Sequence, residues 1–177
     1  VTNNSPEGLF DGSKTFNIRV AEEGLEILGG RFVTDNLEVS GGVLFWSKSY
    51  LRTETYGDYY GVYDSWSWET YDDSTYVVLG INYYITDSFF KPYLGVQFGT
   101  DLDEEAFESN RLDARIGAYI SITDSFFLDI GMRLPLIEKE APENYYYDDY
   151  YYDDYYDYSY TEQNAGAQPY VGFAWSF

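Results

Sequence analysis

At 177 residues the chain has the length of one domain, but its composition is lopsided: 22 tyrosines, 21% aromatic residues, no cysteine, no histidine and a formal net charge of −21. Without cysteine there is no disulfide, thiolate metal site or thiol nucleophile, and without histidine no Ser-His-acid hydrolase, His-assisted lipid deacylase or His-ligated zinc site. The acidity excludes nucleic acid, whose phosphates would be repelled, and no run approaches the roughly 20 apolar residues of a membrane-spanning helix.

Residues 1–13 read as a loosely held lead-in. Because Val1 is followed by neither a basic nor an apolar leader region, an export signal is expected to have been removed. From residue 14 the sequence breaks into alternating runs predicted as eight strands, near 14–22, 25–33, 37–50, 74–85, 89–99, 110–122, 126–137 and 165–177. Three near-repeats separate pairs of runs: Phe32-Val33-Thr34-Asp35-Asn36, Tyr84-Ile85-Thr86-Asp87-Ser88 and Ile122-Thr123-Asp124-Ser125. Thr-Asp followed by Asn or Ser suits a tight turn, since these side chains hydrogen-bond nearby backbone. The other connections are longer and acidic, except the short Glu22-Glu23-Gly24. Segments 51–75, 100–110 and 138–164 carry net charges of −5, −5 and −8, most of the total.

Short turns alternating with long charged loops over eight strands predict an all-β, eight-stranded antiparallel up-and-down transmembrane β-barrel. Roughly nine to eleven tilted residues cross a bilayer, which each run supplies. Aromatic girdles at the bilayer interfaces account for the tyrosine excess.

Side-chain alternation sets the register. In the sixth run Leu112, Ala114 and Ile116 oppose Arg111, Asp113 and Arg115; in the seventh Leu128, Ile130, Met132 and Leu134 oppose Asp129, Gly131 and Arg133; in the fifth Leu94, Val96 and Phe98 oppose Lys91, Gly95 and Gln97. Charges on a lipid face at mid-membrane cost about 2–4 kcal/mol each, so they are expected inward. The lumen is therefore predicted to hold Arg19, Arg31, Glu38, Asn82, Lys91, Gln97, Arg111, Asp113, Arg115, Asp129 and Arg133. The second run fits poorly, because Arg31 inward forces Leu25 and Ile27 inward and Glu26 outward, which predicts a bulge or a charge reaching the headgroups. Mixed signs in so narrow a lumen suggest paired, buried charges forming a plug. A narrow path for small solutes along the same groups is the other reading.

Two loops carry the surface chemistry. Residues 145–160 run Tyr145-Tyr146-Tyr147-Asp148-Asp149-Tyr150-Tyr151-Tyr152-Asp153-Asp154-Tyr155 and then lose the repeat, while Trp66 and Trp68 stand among tyrosines and acids in 51–75. Tyrosine offers a large amphipathic surface with little rotamer entropy to lose, which suits adhesion to a surface protein or polymer; a solvated low-complexity loop is the plainer reading. If the third and fourth runs continue past the membrane, their alternate aromatics form a hairpin with an exposed edge. No cofactor is expected. Asp148, Asp149, Asp153 and Asp154 offer oxygens for loosely bound calcium, but their spacing matches no cation loop. Adjacent carboxylates arise by chance in acidic runs, and no enzyme activity is expected.

The last run, Tyr170 to Phe177, sets Val171, Phe173, Trp175 and Phe177 on one face against Tyr170, Gly172, Ala174 and Ser176. It resembles the C-terminal assembly signal of bacterial outer-membrane barrels, carried here by Tyr170, Gly172, Trp175 and Phe177. With the Thr-Asp turns it makes the chain from about Lys14 onward similar to the small eight-stranded outer-membrane proteins that include the OmpA membrane domain, OmpX and OmpW. The resemblance implies a barrel in a bacterial outer membrane with periplasmic termini and extracellular loops. It also implies contact with outer-membrane lipid and the barrel assembly machinery, and roles in adhesion, envelope integrity or porin-like narrow transport. The tyrosine-aspartate loop departs from that pattern.

Overall fold

The computed structural model describes residues 12–22, 24–58, 61–85, 89–102, 110–137, 145–149, 154–162 and 166–177. They form ten strands: β1 (Lys14–Ala21), β2 (Gly24–Thr34), β3 (Leu37–Asp58), β4 (Gly61–Tyr84), β5 (Phe90–Asp101), β6 (Asn110–Thr123), β7 (Phe126–Ile137), β8 (Tyr145–Asp149), β9 (Asp154–Glu162) and β10 (Gln168–Ser176). The order β2-β1-β10-β7-β6-β5-β4-β3, closed by pairing of β2 with β3, is an eight-stranded antiparallel ring. Expected and observed spans agree within three residues, except that β3 and β4 run well past their expected outer ends. A β8–β9 hairpin also forms in the tyrosine-aspartate segment.

The chain divides into two compact units, residues 1–46, 74–139 and 166–177 in the first and 47–73 with 140–165 in the second. The first is the barrel. Its outside is apolar: Leu79, Leu94, Val96, Ile116, Phe173 and Trp175 are exposed, while Arg19, Glu26, Asp113, Asp129 and Arg133 are buried. This is a water-soluble barrel turned inside out, as a transmembrane β-barrel requires. Two of the short turns are held by their threonines. The Thr34 hydroxyl accepts from the amides of Asn36 (3.3 Å) and Leu37 (3.1 Å), and the Thr123 hydroxyl from that of Ser125 (3.4 Å). Residues 86–88 of the remaining turn lie outside the described residues.

In the second unit the strand order is β4-β3-β9-β8. Here β9 pairs with β3 from Tyr50↔Glu162 to Asp58↔Asp154 and with β8 from Tyr145↔Tyr158 to Asp149↔Asp154. The segment expected as a loop is a sheet because its Thr, Tyr and Trp residues are strong strand formers, and neighbouring strands satisfy their backbone groups.

Candidate functional site

The barrel interior is built in levels. Toward the short turns, Phe32, Tyr84, Tyr93, Tyr119 and Phe127 cluster with neighbouring ring centroids 5.1–5.8 Å apart. Their hydroxyls are used as well as their rings. Tyr84 donates to Glu38 (2.8 Å), which also accepts from Thr15 and from Asn82 (3.0 Å), and Tyr119 donates to Asn17 (2.7 Å). Tyr93 donates to Asp129 (2.8 Å) and meets the Tyr170 hydroxyl. The bare backbone of Gly131 admits this arrangement, since a methyl group there would collide with the Tyr170 hydroxyl.

Glu26 occupies the next level. It pairs with Arg19 (3.0 Å), Arg133 (3.2 Å) and Arg115 (3.6 Å) and accepts from Gln97. Arg19 also binds Asp129 at 2.5 Å, and Asp113 receives Arg111 at 2.8 Å and Arg133 at 3.5 Å. Above them Trp46 packs with Leu28, Leu44, Tyr76 and Val78 and stacks under Arg111, whose guanidinium carbon lies 3.8 Å from the ring centroid. Burial of this kind is tolerated only when charges are paired and hydrogen-bonded.

The predicted lumen residues Arg19, Glu38, Asn82, Lys91, Gln97, Arg111, Asp113, Arg115, Asp129 and Arg133 are all buried, and most join this network. Arg31 does not: it is exposed on the outside of β2, level with Lys14, and is corrected from the predicted set. Glu26, expected outward, is buried at the centre. The two residues are five apart on a strand with no bulge between them, so one must face out. The outward position falls to the one nearer the strand end, where charge can reach headgroups. The irregularity in β2 lies between Phe32 and Thr34, not beside Glu26. A signal for Glu26 existed in the sequence, since the tight connection at residues 22–23 sets Arg19 opposite Glu26.

In the second unit Trp66 and Trp68 are 43% and 37% exposed on β4, and the Arg52 guanidinium lies 5.0 Å from the Trp68 ring centroid. Hydroxyl pairs Thr53–Ser67 (2.8 Å) and Thr55–Ser65 (3.4 Å) bridge β3 and β4. A hydrogen bond to Glu69 raises the pKa of the exposed Tyr71 phenol above its ordinary value, because a carboxylate beside it disfavours the phenolate. Of the predicted surface residues, Tyr145, Asp148 and Asp149 lie on β8 and Asp154 and Tyr155 on β9, with Asp148 opposite Tyr155. Tyr150 and Asp153, the latter one of the four carboxylates considered for calcium, lie outside the described residues. The C-terminal Tyr170 and Gly172 face the lumen, and Trp175 and Phe177 are exposed.

No protein-family model matches the chain, and no curated protein matches it in sequence. Among solved structures it is similar to the N-terminal β-barrel domain of Pseudomonas aeruginosa OprF, with a TM-score of 0.53 and 10% identity over 96% of this chain and 99% of that one. A designed transmembrane β-barrel aligns over the same shares, with a TM-score of 0.46 and 12% identity. The OprF likeness bears on fold, which is that of an eight-stranded transmembrane β-barrel.

Proposed function

We propose that this chain is a non-enzymatic outer-membrane barrel that presents an acidic, aromatic-rich sheet at the cell surface for attachment to a protein or surface polymer. Strand length carries the reading. β3 and β4 have 22 and 24 residues, about twice the roughly nine to eleven needed to cross a bilayer. The extra length is paired β-structure with large exposed aromatics, Trp66, Trp68 and Tyr71, among carboxylates. Ordered aromatics of this kind supply contact area at low entropic cost, and the surrounding acids favour basic or cation-bridged partners. Orientation follows the resemblance, with turns and termini periplasmic and the extended sheet outside.

Co-purification from native membranes in mild detergent tests the proposal. A stoichiometric companion should accompany the full chain and be lost when residues 144–162 are deleted, while both chains keep the heat-sensitive electrophoretic mobility of a folded barrel. A lone barrel, or a companion indifferent to the deletion, would contradict it.

A further inference from the structure

Five of the described basic residues, Arg19, Lys91, Arg111, Arg115 and Arg133, are buried in the barrel unit, and Lys48 and Arg52 belong to the second unit. Among the described residues this leaves two exposed cations on the barrel, Lys14 and Arg31, and they are direct cross-strand partners on β1 and β2. Like charges at directly opposed positions repel. Neither makes an ion pair with a described residue, the turn carboxylates Asp35 and Asp124 included.

Their surroundings are apolar. Arg31 faces Val39 on β3, and the Lys14 backbone exchanges two 3.0 Å hydrogen bonds with Phe177. Two residues further into the barrel wall lies an exposed aromatic group. The Phe16 and Trp175 ring centroids are 6.0 Å apart, Trp175 and Phe126 5.2 Å, and Phe126 stacks on Phe173 at 5.4 Å. Such a belt marks the depth where acyl chain gives way to headgroup. Two cations just beyond it, with long stems able to extend along apolar wall, stand where lipid phosphates lie.

We infer that Lys14 and Arg31 form a binding site for the phosphate of an anionic phospholipid, whose acyl chains lie against Phe16 and Trp175. The inference rests on the membrane-barrel reading. A shared anion turns the repulsion of the opposed pair into a two-pronged contact, with the guanidinium offering paired donors and the ammonium a point charge. It also gives Arg31 a reason to stand outside while the other arginines of the barrel turn inward.

Trp175 reports on this site. The full chain is reconstituted in phosphatidylcholine vesicles containing a minority of phosphatidylglycerol, with bromine on the acyl chains of one lipid at a time. Trp175→Phe supplies the background from the other tryptophans. The site predicts that phosphatidylglycerol associates near Trp175 with about fivefold or greater preference, the contribution of one basic residue at an anionic surface. The preference should vanish in Lys14→Gln/Arg31→Gln and persist in Lys14→Arg. Equal quenching by the two lipids in the unaltered chain, or a preference that survives the double substitution, overturns the site. Absence of quenching by either lipid overturns the membrane reading itself.

Discussion

Among the described carboxylates of the interior, Glu26 meets the most arginines. Three arginines converge on it, so removing its charge leaves buried guanidinium groups uncompensated. Glu26→Gln, which keeps the volume, is expected to destabilise the barrel by about 3–5 kcal/mol, read as a lower urea midpoint in lipid vesicles. An unchanged midpoint would mean that the pairing contributes nothing. Gly131→Ala tests the tyrosine level, since the added methyl must displace the Tyr170 hydroxyl or the Ile116 carbonyl. A loss of about 1–3 kcal/mol is expected in the same assay. On the second unit, Glu69→Gln should let the Tyr71 phenol ionise at lower pH, observed by NMR titration, because the carboxylate that opposes the phenolate is gone. At this scale the sequence was legible wherever alternation placed several charges on one face, as along β6 and β7. It misled where one charge was used to set a whole strand, as Arg31 was for β2, because depth in the bilayer decides which of two opposed charges is tolerated outside.

The barrel strands were legible because a two-residue period and Thr-Asp turns are local signals. The continuation of β3 and β4 and the β8–β9 hairpin were harder to read, since tyrosine-aspartate repeats alternate poorly and pairing depends on segments roughly a hundred residues apart, Tyr50 with Glu162 for example. Register makes the new sheet testable. Backbone amides of β3 from Tyr50 to Asp58 and of β9 should exchange slowly with deuterium, like paired strands and unlike an open loop. Complete exchange of both within seconds would contradict the sheet. The same register sets Asp154 opposite Asp58 on one side and Asp149 on the other.

As a whole the molecule separates two kinds of chemistry. Its described basic side chains are largely committed to internal pairing, and most of its net negative charge lies in the three segments 51–75, 100–110 and 138–164. A lumen crossed by aromatic clusters and arginine-carboxylate contacts favours a plug over a solute path, since opening it would leave several charges unpaired at once. The function we propose assigns the work of the protein to the extended sheet and none to passage through the barrel. Conductance in planar bilayers tests that division most directly. Neither the full chain nor a chain lacking residues 144–162 should give resolved current steps at neutral pH. Reproducible steps from the full chain, altered by Arg133→Ala, would contradict the account and make the lumen the functional site.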